Sequence, residues 1–154
     1  MNLITGVIAD NKPIVKATVK DGRLVFSRRG KFEFIVDTGF TGDLLIPHPL
    51  VKQLNLDLLS YDTFELATEQ LIELPVFRGN VVIGKTTREV EMVPGDALIG
   101  MSLMQAIGSQ LLFDFDKGQV LWIQVGYREQ VRAPLPCPFQ RLLAAPMLYS
   151  SMIS

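Results

Sequence analysis

One carboxylate in this chain stands where a carboxylate is costly. The apolar run Phe34-Ile35-Val36 leads directly into Asp37-Thr38-Gly39, and Phe40-Thr41-Gly42 follows. A buried strand that ends in an acid, a hydroxyl and a glycine delivers charge to the mouth of a core, where ionisation without a partner is unfavourable. Held there, the group can accept a proton from water or donate one to a carbonyl, which is general acid–base chemistry. The plain alternative is a strand-to-turn junction whose carboxylate accepts hydrogen bonds from loop amides. The triplet alone does not separate the two, so the surrounding pattern has to.

Other chemistry-bearing residues are sparse. His48 is the single histidine and Cys137 the single cysteine. That excludes constellations needing two of either and leaves no intrachain disulfide framework. No metal site is expected. Gly79-Asn80-Val81-Val82-Ile83-Gly84-Lys85-Thr86 fits the phosphate-loop pattern G-x-x-x-x-G-K-[ST] in full. Its context argues against that reading. A phosphate loop opens a helix at its Lys-Thr, whereas Val81-Val82-Ile83 is β-branched and residues 87–93 alternate as a strand. The expectation is a hairpin turning at Gly84-Lys85. Arg28 and Arg29 read as the solvated end of another hairpin.

The elements that must position Asp37 are mostly strands. Residues 3–9 and 13–20 flank Asp10-Asn11-Lys12, a turn-type cluster. Asp21-Gly22 turns the chain again toward a short strand, Leu24-Val25-Phe26, and Arg28-Arg29-Gly30 closes the next turn. Leu44-Leu45-Ile46 is a short apolar run, followed by Pro47-His48-Pro49 and a turn or two of helix over residues 50–54. Two extended runs, residues 64–67 and 71–77, enclose the polar Thr68-Glu69-Gln70 and predict a projecting hairpin. Leu98-Ile99-Gly100 is a second apolar run ending in glycine. Helical spacing over residues 101–107 follows it, with Gly108 placed as a C-cap. Residues 111–115 and 120–123 flank Asp116-Lys117-Gly118 as a last hairpin. From Tyr127 onward Pro134, Pro136, Pro138 and Pro146 interrupt a segment without period. Residues 127–154 therefore read as an appendage to a domain spanning 1–126, disordered or packed late.

The chain has 154 residues and a formal net charge of −1, enough for one domain with a real core and without the basic excess that nucleic acid would demand. No apolar run approaches the ~18 residues that span a bilayer. The N-terminus lacks the charged start and long apolar stretch of a signal peptide. The expectation is a soluble, cytoplasmic, all-β domain of barrel type with one or two short helices.

Taken together, the pattern resembles the clan AA aspartic proteases of the retropepsin-like class, most closely the small single-domain prokaryotic members. The resemblance rests on Asp37-Thr38-Gly39 with Phe40-Thr41-Gly42 behind it, the strand pair before it and Leu44-Leu45-Ile46-Pro47 after it. Leu98-Ile99-Gly100 leading into a short helix, and the two closing strands, complete it. It covers roughly residues 1–125. The resemblance implies a closed-barrel-like fold and an aspartic endopeptidase that needs no metal or cofactor. Two carboxyls within hydrogen-bond distance cannot both ionise, so they share a proton, and a base and an acid coexist at one pH. A single chain carrying one motif would supply the pair as a homodimer, each subunit lending its Asp37 to a polypeptide substrate. Thr38 would lock the two loops across the axis, and Gly39 would keep bulk away from the carboxylate. Leu98, Ile99 and Gly100 would pack beneath the loop and, with Phe40, form the floor. Residues Ala67, Thr68 and Glu69 align with the flap, although this chain has no glycine between Gly42 and Gly79. Met101 stands where viral members carry arginine. A dimeric peptide-binding module without hydrolysis is the alternative on the same fold.

Overall fold

The computed structural model describes residues 2–21, 31–66, 68–108 and 110–124. The strand and turns expected within 22–30, Ala67, Cys137 and the segment 127–154 lie outside them.

The described chain is mostly β-sheet with two short helices. The strands are β1 (Asn2–Ala9), β2 (Lys12–Lys20), β3 (Lys31–Val36), β4 (Leu44–Ile46), β5 (Asp57–Glu65), β6 (Leu71–Ile83), β7 (Thr86–Pro94), β8 (Leu98–Ile99), β9 (Gln110–Asp114) and β10 (Gln119–Gln124). The helices are α1 (His48–Gln53) and α2 (Met101–Ile107). The sheet runs in the order β5-β6-β7-β4-β8-β3-β2-β1-β10-β9, and β6 also pairs with β2. That extra pairing, Thr18 to Lys20 against Val82 to Asn80, makes the ladder return on itself through β2, β6, β7, β4, β8 and β3.

Local chemistry sets the hairpins. The β1–β2 turn is two residues long, and Asp10 and Asn11 both take positive φ (51° and 60°), the geometry whose twist matches the flanking strands. At Gly84-Lys85 the chain makes a tight turn between Ile83 and Thr86, with Gly84 at φ 58°. The phosphate-loop pattern is thus a β-hairpin, and no helix opens at Lys85.

One expectation is corrected. Residues 57–62 carried no strand signal, yet β5 starts at Asp57. The register slips between Leu58 and Ser60, and the extra residue of such a bulge destroys the alternation that a strand otherwise writes into sequence. Gly108 caps α2 as expected, its N–H donating to the Met104 carbonyl at 3.1 Å, in an extended conformation with φ −132°. Glycine is required there because a Cβ would run into the indole nitrogen of Trp122.

The short central strands are buried on both faces, which is why they read as continuous apolar runs. Leu44, Leu45 and Ile46 are all fully buried. Phe34, Val36, Leu44, Ile46 and Ile99 point into the main core with Leu103 and Trp122. Their neighbours Leu45 and Leu98 point the other way, into a second cluster with Phe40, Phe64, Leu66, Val76 and Val93. Ile35, Ile72 and Leu74 pack at its margin. This second cluster lies between the β5–β6 hairpin and the strands that end at Asp37.

Candidate active site

The Asp37 loop, residues 37–43, joins β3 to β4, and both strands are clamped by β8. β3 runs parallel to β8 with Val36 opposite Ile99, and β4 runs antiparallel to it with Leu44 opposite Ile99. The clamp continues into the loop. Asp37 N–H donates to the Ile99 carbonyl at 2.9 Å, Gly100 N–H to Asp43 at 2.9 Å, Met101 N–H to Phe40 at 2.7 Å and Ser102 N–H to Gly42 at 3.3 Å. The loop's carbonyls therefore satisfy the unpaired N–H groups at the start of α2, and a helix without a side-chain cap is closed by the loop it supports.

Gly100 and Gly42 make this contact possible. A Cβ on Gly100 would collide with the Gly42 carbonyl oxygen and lie 2.6 Å from Cδ1 of Phe40. A Cβ on Gly42 would lie 2.7 Å from the Phe40 ring. Three separate glycine or ring positions thus interlock beneath Asp37.

The carboxylate itself is unevenly satisfied. Oδ1 accepts the Gly39 N–H at 2.9 Å. Oδ2 is buried and has no hydrogen-bond partner, the only such side-chain atom among the described residues. The Asp37 side chain as a whole is half-exposed, and Thr38 and Gly39 beside it are exposed. One oxygen is tied into its own turn while the other is sheltered from water and unfilled. A Cβ on Gly39 would come within 3.2 Å of Oδ1, so glycine here keeps the carboxylate uncrowded.

The expected floor and flap residues separate into two groups. Phe40 is 2 % exposed and Leu98, Ile99 and Gly100 are buried. Phe40 and Leu98 lie in the second cluster, packed with the hairpin residues Phe64, Leu66 and Val76. Thr68 and Glu69 are exposed at the hairpin tip. There Leu66 N–H donates to the Gln70 carbonyl and Glu69 N–H to that of Leu66, each at 2.8 Å. The tip needs one left-handed residue, and Glu69 takes it at φ 65°. A non-glycine residue in that region carries a strain of about 1 kcal/mol. Glu69→Gly is therefore expected to leave stability unchanged or raise it by up to ~1 kcal/mol, while Glu69→Val lowers it by ~1 kcal/mol or more. Thermal unfolding of the two variants checks the pair, and an unchanged Glu69→Val midpoint would contradict the tip geometry.

Sequence reading missed a second acidic position. Asp43 Oδ2 accepts the backbone N–H of Glu91 at 3.0 Å, fastening the loop's far end to β7. Phe40, Gly42, Asp43, Leu44, Phe64, Glu91 and Val93 line a small pocket there. Nothing in a separation of 48 residues announces this contact. Burial pushes the Glu91 carboxyl above the ordinary glutamate value of 4.5, the Asp43 charge pushes it further, and Arg78 opposes both. A raised folded-state pKa means that the folded chain holds the proton more tightly than the unfolded chain. The resulting stability is complete below about 4.5 and is lost as pH rises through the folded value. Asp96, raised by burial against the opposing charge of Lys12, adds a change of the same sign. Glu91→Gln should flatten the fall of stability with pH above this range, as measured by denaturant unfolding across pH. An unaltered slope would remove Glu91 as its source.

Among the described residues no group of three or more His, Cys, Asp or Glu side chains could hold a metal ion, and no helix is long and apolar enough to cross a membrane. The chain matches no protein-family model and no curated protein.

Proposed function

We propose that the protein is a homodimeric aspartic endopeptidase with a retropepsin-like, closed-barrel fold, working in the cytoplasm on polypeptide substrates. The observation that carries this reading is the unpartnered, buried Oδ2 of Asp37. A buried carboxylate oxygen left without a donor costs about 1–3 kcal/mol or more. A second Asp37 carboxyl, brought up by a two-fold axis and sharing one proton, supplies that donor. The exposed Thr38 stands beside it, available to a partner copy.

Catalysis then follows from the residues. The carboxylate without the proton takes one from water, and the water oxygen attacks the scissile carbonyl. The protonated partner donates to the carbonyl oxygen, forming a tetrahedral diol. The carboxyl that took the water's proton then passes it to the amide nitrogen while the other takes a proton from a diol hydroxyl, and the C–N bond breaks to release the amine and a carboxylic acid. The Gly39 N–H holds Oδ1 in place throughout. The exposed tip at Thr68 and Glu69 offers backbone groups to an extended substrate, which would bind as an added strand.

A non-catalytic, dimeric peptide-binding module is a second reading, favoured by a flap hairpin with no glycine between Gly42 and Gly79. Cleavage of a mixed peptide library between about pH 4 and 7 separates the two, because the shared-proton pair works in that acidic range. Cutting whose specific rate rises with protein concentration, in step with dimer formation, supports the protease. A folded dimer that binds peptides and cuts none at any pH supports the module.

A further inference from the structure

Among the described residues β5 pairs with β6 alone and ends the sheet. Alternate N–H and C=O groups along its nine residues therefore face outward with no strand beside them. An open edge of this length is normally blunted by lysine, by proline or by a covering element. β5 contains neither lysine nor proline, and Leu58, Leu59 and Tyr61 on it are exposed. Register sets Tyr61 opposite Pro75, Thr63 opposite Glu73 and Glu65 opposite Leu71, so these six side chains share the outer face of the hairpin. Tyr61 and Leu71 are each more than half exposed there. The inner face is occupied, with Phe64, Ile72, Leu74 and Val76 packed in the second cluster.

Charge selects what this edge and face can take. Residues 53–77 hold five carboxylates, Asp57, Asp62, Glu65, Glu69 and Glu73, and no lysine, arginine or histidine. Glu65 and Glu73 are diagonal neighbours on the outer face, and neither forms an ion pair among the described residues. Like charges so placed repel, and a cation brought by a partner relieves them. A second copy of β5 is a poor occupant, because it would set three carboxylates against three. A strand of basic and apolar residues has the complementary pattern. Its backbone completes the open edge, and alternate side chains fall beside Tyr61 and Glu65. We infer that the free edge of β5 is a docking site for a lysine- or arginine-rich extended segment of another polypeptide, which adds to the sheet as a further strand.

This inference holds whether the chain cuts peptides or only binds them, and binding alone tests it. A fluorescein-labelled peptide alternating lysine and valine is titrated with the full chain and followed by anisotropy. Saturable binding that weakens as salt is raised is expected, with none by the matching glutamate–valine peptide. Amide shifts should concentrate on β5 and β6 and leave β9 and β10 in place. Glu65→Lys combined with Glu73→Lys should weaken binding at least ~10-fold at an unchanged unfolding midpoint. Asp116→Lys, an exposed charge in the β9–β10 turn, should leave it within ~2-fold. Methylating alternate backbone nitrogens of the peptide, on the side that meets β5, should abolish binding by removing the donors that strand addition needs. Asp37→Asn should bind as the parent does, which keeps a failure of docking distinct from a failure of the protease reading. Absence of binding, equal binding of the two peptides, or indifference to the double substitution overturns the inference. So do shifts confined to the Asp37 loop, because the peptide then sits elsewhere.

Discussion

Replacing Asp37 with asparagine is expected to reduce peptide cleavage by at least ~10³-fold and to leave the fold intact. General acid–base catalysis contributes about 10²–10⁴-fold, and in a shared-proton pair one substitution per subunit removes both roles. The fold should survive because asparagine retains an oxygen at the Oδ1 position, where it still accepts the Gly39 N–H. The side chain is half-exposed, so the amide fits without new burial. Unfolding midpoints within a few degrees of the parent, with cleavage gone, would place the loss in the chemistry. Cleavage by Asp37→Asn at a rate near the parent's would sink the protease assignment outright.

Gly100→Ala is expected to be the most damaging single methyl group in the described chain. Its Cβ would meet the Gly42 carbonyl oxygen, the Gly42 carbonyl carbon at 2.9 Å and the Phe40 ring at 2.6 Å. Two of those atoms are backbone and cannot swing aside. Relief means moving the loop away from α2, which weakens the bonds from Gly100 to Asp43 and from Met101 to Phe40. Overpacking of this kind costs about 1–3 kcal/mol, and two strained hydrogen bonds add about 1 kcal/mol each. A loss of roughly 3–5 kcal/mol should lower the midpoint by ~10 °C or more. Asp37 rides on the displaced loop, so cleavage should fall beyond what the unfolded fraction explains. Gly84→Ala is the fitting comparison. Its φ of 58° strains an alanine by about 1 kcal/mol and its Cβ would press on Cγ1 of Ile4 at 2.9 Å, at a turn that touches neither Asp37 nor its supports. Gly100→Ala falling within ~1 kcal/mol of the parent would mean that the loop and α2 are not interlocked.

Several features were legible in the sequence because each depends on neighbours a few residues away. Asp10-Asn11 and Gly84-Lys85 specify two-residue turns through backbone conformations that few residues adopt. Pro49 near the start of α1, and the spacing of Leu103, Met104 and Ile107 in α2, mark helices by steric and periodic rules. The apolar runs at Phe34, Leu44 and Leu98 marked the strands buried on both faces. Asp37 after such a run signalled a carboxylate held against a core. The first part of β5, residues 57–62, escaped because a bulge at Leu58 and Ser60 broke its alternation.

What the sequence by itself determined was most of the strands and turns and the acid at the end of one of them, since propensity, turn chemistry and hydrophobic period act locally. Tertiary structure alone decided that β8 lies between β3 and β4, because strand order follows from non-local pairing that leaves no periodic trace. It also decided that Gly100 abuts Gly42, and that Asp43 reaches Glu91 on β7. The packing of Phe40 and Leu98 under the hairpin likewise needed the two faces of the central strands to be assigned. Above all, the lone oxygen of Asp37 became visible only in three dimensions. Whether a polar atom has a partner depends on every element folded around it, and no window of sequence contains them all.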